Sequence, residues 1–196
     1  VGIIVFSSMS AYIISRKKNK YTKFAQFMIT TPMLIPFQTI MITLLKVMNI
    51  VNLSGSKIGL GIQYWGFGIP MAAFIYGNFM STIPKELDES AFIDGAGTFR
   101  TYRSIIFPLL KSVTFTVIVI DVMWIWNDFL LPLLMVNSSN ETKTLVLSAY
   151  TFVGQFNTQW HYAMAAMVLA VLPSIIIFIF LQKYIVEGVV AGAVKG

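Results

Sequence analysis

Apolar runs about as long as a bilayer is thick are the feature that most constrains this 196-residue chain. Hydrophobic residues make up 57% of the sequence and charged residues only 11%, whereas soluble domains carry about 25% charged residues. A soluble globule of this length could not hide so much apolar surface from water. The sequence therefore predicts an all-α, polytopic bundle of membrane helices.

Four complete crossings and one partial crossing are predicted, because a helix needs about 20 apolar residues to cross a bilayer. The complete crossings are about Phe24–Leu45, Leu60–Met80, Ser112–Val136 and Tyr162–Gln182. The first apolar run, Val1–Ile14, is shorter, and we interpret it as the truncated end of a membrane helix. Pro32 and Pro36 should kink the first complete crossing. With no internal repeat or linker, residues 1–196 are expected to form one domain.

Several classes of site are excluded by residue counts and motifs. The chain has no cysteine and one histidine, His161, so it offers neither a disulfide framework nor a zinc cluster. It lacks the phosphate-binding pattern G-x-x-x-x-G-K-[ST], so it cannot bind ATP in the P-loop manner. Nothing resembles a self-contained enzyme. We predict no catalytic residue, no metal, no cofactor and no nucleic-acid partner.

Basic residues lie mostly on one side of the predicted membrane. Eleven of the fourteen Lys and Arg residues fall on that side: Arg16, Lys17, Lys18, Lys20, Lys23, Lys85, Arg100, Arg103, Lys111, Lys183 and Lys195. The opposite side carries Lys46, Lys57 and Lys143. The positive-inside rule makes the eleven-residue side cytoplasmic. The net charge of +6 is explained by this placement, which also puts residues 82–111 in the cytoplasm.

The longest interruption between apolar runs, the polar loop Thr82–Lys111, is predicted to form two short helices with a sharp turn between them. Thr82 is expected to cap the first helix. Gly95 and Gly97 should supply the left-handed or tight backbone that ends it, and Thr98 should cap the second. Acidic residues follow near the first helix start, where the macrodipole favours negative charge: Glu86, Asp88 and Glu89.

The polar loop resembles a motif of a known family. Glu89-Ser90-Ala91, then Gly95, Ile105, Phe107 and Pro108, follow the EAA-loop pattern: Glu-Ala-Ala, three residues, Gly, nine residues, Ile-x-Leu-Pro. This pattern marks the permease subunits of ATP-binding-cassette (ABC) importers. Ser90 replaces the middle Ala and Phe107 replaces Leu, and each substitution keeps a small or an apolar residue.

The resemblance implies that the polar loop is a coupling element that docks into a cleft on a cytoplasmic ATPase subunit. The residues that it assigns to this role are Glu86, Glu89, Ser90, Ala91, Asp94, Gly95, Ile105 and Pro108. Glu89 is expected to make a polar contact with the ATPase, with Ala91 and Gly95 permitting close approach. Arg100 and Arg103 are expected to bind lipid phosphate or the carboxylates of the loop itself.

Further stretches narrow the resemblance to the second permease subunit of carbohydrate importers of the maltose and oligosaccharide type. These are Ile83–Leu87, Trp126–Phe129, Gln182–Gly188 and Ala191–Gly196. The implied partners are a second permease in a heterodimer, two cytoplasmic ATPase subunits, an extracytoplasmic solute-binding protein and the lipid of a bacterial plasma membrane. Family members have about six spans, so this chain is expected to lack the first and part of the second.

Polar residues inside the crossing Ser112–Val136 are candidates for a translocation pathway: Asp121, Trp124, Asn127 and Asp128. Asp121 lies about 14 Å from the cytoplasmic end, near the midplane, and charges there usually face the bundle interior or a water-filled path. Asp121 and Asp128 are seven residues apart, so a continuous helix would place them on one face. The alternative is a buried helix–helix contact without a role in transport.

Other functions fit the same sequence. One is an ABC importer permease for a polyol, a peptide or an amino acid. Another is a channel or an ion-coupled carrier in which Asp121 binds a proton or a cation, and this carrier would be sensitive to uncouplers rather than to ATP depletion. A structural membrane scaffold would give no transport phenotype on deletion.

Overall fold

Helices account for every regular element in the part of the chain that the structure describes. The structure is a computed structural model that describes residues 1–137, 141–153 and 159–193, with side chains through Phe180 and at Gln182. The α-helices are α1 Gly2–Arg16, α2 Lys20–Thr30, α3 Phe37–Ile50, α4 Lys57–Met80, α5 Glu86–Ile93, α6 Thr98–Thr101, α7 Phe107–Leu109, α8 Lys111–Asn127, α9 Leu130–Val136, α10 Leu145–Ala149 and α11 Trp160–Ala193. Two 3₁₀ turns, Thr31–Leu34 and Tyr150–Phe152, and a π-helical turn, Tyr102–Ile106, complete the described elements.

Two of the described helical segments are long and apolar enough to cross a membrane without interruption, Lys57–Met80 and Trp160–Phe180. Two bent pairs pass the same test together, Lys20–Leu34 with Phe37–Ile50 and Thr98–Leu109 with Lys111–Asn127, which raises the number of candidate crossings to four if each pair counts as one. The second pair includes the last part of the polar loop and ends before the predicted limit at Val136. Helix α1 is a shorter apolar helix. These lengths confirm the predicted all-α membrane bundle.

The predicted crossing Phe24–Leu45 is not one kinked helix. Helix α2 and its 3₁₀ turn end at Leu34, and α3 begins at Phe37. Ile35 is extended, with φ −97° and ψ 115°, and Pro36 precedes the first residue of α3. Proline disfavours the helical conformation of the residue before it and has no N–H to donate, so the helix breaks here rather than bends.

One compact unit contains Val1–Ile35, Trp65–Ile118 and Lys183–Gly196. In it, α1 packs on α4 where Gly68 faces Ile3. A Cβ atom at position 68 would lie 2.6 Å from Cδ1 of Ile3, so a larger residue would require the end of the Ile3 side chain to move. The Tyr76 hydroxyl and the Thr114 Oγ1 atom lie 2.9 Å apart in a hydrogen bond. These contacts join α4, the helix before the polar loop, to α1 and to α8, the helix after the loop.

The second compact unit contains Pro36–Tyr64 and Val119–Gln182. Its buried side chains include Leu131, Met135, Val136 and Leu147. The N–H of Gly55 donates to the carbonyl oxygen of Met135 over 2.9 Å, which ties the loop before α4 to α9. Apolar side chains of α11 such as Val168 and Ile179 are more than half exposed, as expected for a helix surface that faces lipid.

Candidate functional site: the polar loop and the C-terminal half of α8

The first helix of the polar loop, α5, begins four residues later than the predicted cap. Lys85 is its N-cap residue. The Thr82 hydroxyl instead donates to the carbonyl oxygen of Phe79 over 2.8 Å, so it satisfies a free carbonyl at the end of α4. The prediction that Thr82 caps the loop helix is therefore wrong. A Ser or Thr between two close helices can donate to a carbonyl at the end of the first or accept from an N–H at the start of the second. The sequence does not show which of these two hydrogen bonds forms.

Gly95 ends α5 as predicted, with left-handed backbone at φ +79°. The N–H of Ala96 donates to the carbonyl oxygen of Ala91 over 2.9 Å, and the N–H of Gly95 donates to that of Phe92 over 3.0 Å. This pair of bonds is the Schellman arrangement, which requires positive φ at the residue after the helix cap. Gly97 has φ −74°, so only Gly95 supplies the left-handed turn.

Helix α5 has an inward face and an outward face. Asp88 and Ala91, three residues apart, are 5% and 3% exposed. The other polar residues that the EAA resemblance assigned are exposed: Glu86, Glu89, Ser90 and Asp94. The small side chain of Ala91 therefore permits close packing inside this chain, rather than at the exposed surface where an ATPase was expected to approach.

Exposed apolar side chains occur on the polar loop, and sequence reasoning missed them. Leu87, Phe92, Ile93 and Phe99 are 38%, 49%, 87% and 62% exposed. Exposed apolar side chains among acidic residues are typical of a protein–protein contact. The signal in the sequence was Ile93, an apolar residue five positions after Asp88, where a helix has turned to its opposite face.

The second part of the loop consists of α6, the π-helical turn and α7 in direct succession. Gly97, rather than the predicted Thr98, is the N-cap residue of α6. Ile105 is half-buried and Pro108 is exposed, whereas the neighbouring Ile106 is completely buried. Arg100 and Arg103 are exposed. Neither forms an ion pair with a loop carboxylate among the residues that the structure describes, and the alternative partner, lipid phosphate, stays a prediction.

A buried polar cluster joins the loop to the end of α1. The Asp88 carboxylate has both oxygens engaged, because Tyr12 donates its hydroxyl to Oδ1 over 2.6 Å and Arg16 Nε lies 2.9 Å from Oδ2. Arg16 also donates Nη1–H to the carbonyl oxygen of Ile83 over 3.1 Å. The Ser8 and Tyr102 hydroxyl oxygens are 2.7 Å apart in a buried hydrogen bond. Sequence reasoning placed Arg16 only in the basic count and did not connect it to the loop.

The pathway candidates lie in the C-terminal half of α8 and in the residue that follows it, and they do not share one helical face. Helix α8 ends at Asn127, and Asp128 lies in the break before α9. Asp128 Oδ1 accepts the N–H of Leu130 over 3.2 Å, and Oδ2 accepts the Tyr64 hydroxyl over 3.0 Å. The argument that placed Asp121 and Asp128 on one face assumed a continuous helix and is wrong. Asp121 itself is half-buried on α8.

The two tryptophans of α8 have different surroundings. Trp124 is 42% exposed and meets Tyr64 edge to face, with ring centroids 5.6 Å apart. Trp126 donates its indole N–H to the carbonyl oxygen of Ala170 over 2.9 Å. Asn127 is exposed and donates to the carbonyl oxygen of Met123 over 2.7 Å. Trp124, Tyr64 and Asp128 thus form one aromatic and acidic group.

These helices and the loop motif define a membrane permease of the binding-protein-dependent import systems. Residues 3–190 match the family described as the binding-protein-dependent transport system inner membrane component, and the chain belongs to that family. It is a multi-pass inner-membrane protein and not itself an enzyme. ABC importer permeases work with ATPase and substrate-binding partners.

Individual relatives cover nearly the whole chain. It is 42% identical over 193 residues to the probable starch degradation products transport system permease protein AmyC of Thermoanaerobacterium thermosulfurigenes, covering 98% of this chain and 70% of that one. It is 35% identical over 198 residues to the melibiose/raffinose/stachyose import permease protein MelC of Bacillus subtilis, covering 99% and 70%.

A solved structure has the same fold. The chain is similar to a chain in the crystal structure of a bacterial ABC transporter involved in the import of the acidic polysaccharide alginate, with a TM-score of 0.76 and 18% identity. The match covers 93% of this chain and 69% of that chain. This similarity supports the permease helix arrangement.

Proposed function

We propose that this chain is the permease subunit of an ATP-driven carbohydrate importer. It contributes to the translocation pathway and couples to a cytoplasmic ATPase through the polar loop. The observation that carries the proposal is the structure of α5. One face is held inside the chain, while the opposite face presents carboxylates and the apolar side chain of Ile93, which is 87% exposed. Carbohydrate as the substrate class is supported by the printed functions of AmyC and MelC.

The proposed assembly contains a second permease, two ATPase subunits and an extracytoplasmic solute-binding protein. The carboxylates of Glu86, Glu89 and Asp94 are exposed on the same short segment as the exposed side chain of Ile93. An apolar anchor with charged neighbours suits a protein–protein interface. Glu89 is proposed to pair with a basic residue of the ATPase, and Ile93 is proposed to enter an apolar pocket in it.

Inside the membrane, the proposed pathway passes the group formed by Trp124, Tyr64 and Asp128. Aromatic faces combined with a carboxylate suit sugars, whose apolar ring faces stack and whose hydroxyls donate hydrogen bonds. Asp121 lies deeper on α8 and is half-buried. A charge at that depth is costly unless it faces the bundle interior or water, which supports its placement beside the pathway.

Purification of the tagged chain from its native membrane tests the proposed assembly. We expect an ATPase, a second permease and a solute-binding protein to co-purify. The variant Ile93→Asp should reduce the recovered ATPase about tenfold, because it places a charge in the apolar centre of the contact.

The matched control is Ile58→Asp, since Ile58 is an isoleucine 71% exposed at the start of α4, on the side predicted to lie outside. This variant should retain the ATPase. Equal recovery of the ATPase with both variants would count against docking through α5, and recovery of no ATPase with the unaltered chain would remove the proposed function itself.

A further inference from the structure

Three residues of helix α1 form a polar stripe along the side that meets the polar loop. Ser8, Tyr12 and Arg16 recur every four residues, a spacing that places them on one helical face. Ser8 is completely buried and Tyr12 is 3% exposed. Each of the three contacts the polar loop, and the contacts span residues 67 to 94 positions apart in the chain. We call Ser8, Tyr12 and Arg16 the α1 stripe.

The α1 stripe contacts both helical parts of the polar loop, α5 and the π-helical turn. Tyr12 and Arg16 bind the two oxygens of Asp88 on α5, and Arg16 also binds the Ile83 carbonyl just before it. Ser8 binds the Tyr102 hydroxyl in the π-helical turn, and the rings of Tyr12 and Tyr102 lie 5.5 Å apart. The loop is covalently continuous only with α4 and α8, so the stripe attaches it to a third membrane helix.

We propose that the α1 stripe transmits the movement of the loop to α1, with Arg16 and Asp88 as positioning residues. This inference rests on the proposed docking of α5 on an ATPase. The side-chain exposures of Arg16 and Asp88 are 12% and 7%. Separating such a pair would leave an uncompensated charge in a poorly hydrated place, which is strongly unfavourable. A pull on the outward face of α5 is therefore passed to α1 as well as to the two covalent neighbours.

The contacts of α5 also explain how this helix can transmit force to α1. Its inward face is occupied by Asp88 and Ala91, and its Schellman end at Gly95 holds the following turn. Force applied to Ile93 therefore meets a helix that is fixed on its opposite side. A loop tied only at its chain ends would absorb part of the same displacement by local bending.

Measurement of transport per ATP hydrolysed in the reconstituted whole transporter tests the proposal. The variants Arg16→Gln and Asp88→Asn should lower this ratio about tenfold while the ATPase still co-purifies. The double variant Arg16→Asp with Asp88→Arg should recover part of the ratio because it restores the pair. Arg100→Gln is the matched control, since Arg100 is exposed in the same loop, and it should leave the ratio unchanged.

A second measurement keeps Arg16 and Asp88 intact, so it tests the proposal even where the variants at these two positions do not assemble. The chain has no cysteine, so Ile13→Cys and Lys85→Cys, both at exposed positions outside the proposed ATPase contact, allow spin labels on α1 and at the start of α5. With Arg16 and Asp88 intact, the distance between labels should not change when ATP is bound, because the two helices move together. A changed distance, or an unaltered transport ratio in Arg16→Gln, would overturn the proposal. Recovery of no ATPase with the unaltered chain would instead remove the proposed function on which this inference rests.

Discussion

The carboxylate of Asp88 joins two helices, because the residue lies on α5 and contacts Tyr12 and Arg16 of α1. Its Oδ1 accepts a hydrogen bond from the Tyr12 hydroxyl and its Oδ2 lies in an ion pair with Arg16 Nε, although the residue is 5% exposed. Breaking a buried pair by removing one partner typically costs about 3–5 kcal/mol. By contrast, Glu89 lies one residue further on and is exposed. Neighbouring acidic residues of one short helix thus have separate roles, the first inside the chain and the second at the proposed contact.

Gly95 allows a stability prediction at the scale of one residue. Neither Gly95 nor Gly97 has an atom within 4 Å of an added Cβ, but Gly95 has φ +79° and Gly97 has φ −74°. Gly95→Ala should therefore destabilise the loop by about 1 kcal/mol through backbone strain alone. Gly97→Ala, the control, should be neutral or slightly stabilising.

Thermal unfolding of the two purified variants in detergent checks this difference. For a chain of this size, a change of 1 kcal/mol shifts the midpoint by about 2–4 °C. We expect that decrease for Gly95→Ala and none for Gly97→Ala. The same decrease in both variants would mean that the positive φ at Gly95 is not what limits the substitution.

At the scale of the element, breaks in the predicted crossings determine where polar side chains lie. The break after Asn127 frees Asp128 from α8, and its carboxylate then binds Tyr64 and the first turn of α9. The break at Pro36 likewise separates α2 from α3. Such breaks are tolerated in membrane proteins where protein or water satisfies the backbone, so they are found beside pathways and cavities.

The two tryptophans of α8 provide a test of the proposed pathway. Trp124→Ala should raise the KM for sugar uptake about tenfold with the transporter still assembled, because an exposed stacking surface is lost. Trp126→Phe should leave KM unchanged and lower thermal stability, because it removes the hydrogen bond to the Ala170 carbonyl. Uptake measured over a range of sugar concentrations separates these effects. An unchanged KM in Trp124→Ala would exclude Trp124 from the pathway.

At the scale of the whole molecule, function depends on which side of the membrane the polar loop faces. The distribution of Lys and Arg predicts the cytoplasm, and a coupling role requires it, since ATP is hydrolysed there. The charge argument and the EAA resemblance use different residues for the most part. Their agreement supports one orientation for the chain.

Labelling of single cysteines tests this orientation, since the native chain has none. Glu86→Cys and Lys57→Cys introduce thiols at exposed positions on opposite predicted sides. A membrane-impermeant maleimide should label the position-57 thiol in right-side-out vesicles and the position-86 thiol only in inside-out vesicles. Labelling of position 86 from the outside would rule out contact between the loop and a cytoplasmic ATPase.

Local sequence determined the membrane helices of this protein, the end of its loop helix and the motif of its family. Apolar runs indicated helices in lipid, and the glycine at position 95 indicated where the loop helix ends. Both depend on chemistry within a few residues: the length of an apolar run and the φ angle open to glycine. The EAA spacing identified the family for the same reason, because the motif is contiguous.

Tertiary packing alone decided which residues of the loop face inward. Nothing near Asp88 in sequence indicates that Tyr12 and Arg16 bind it, and nothing near Thr82 shows which helix it caps. Tertiary packing likewise gave the Asp128 carboxylate its partner, the Tyr64 hydroxyl. Contacts between residues distant in the chain depend on how helices pack, and residue type and spacing do not specify that packing. Local chemistry therefore determined the helices and the motif, and packing determined the buried charge pair that joins the loop to α1.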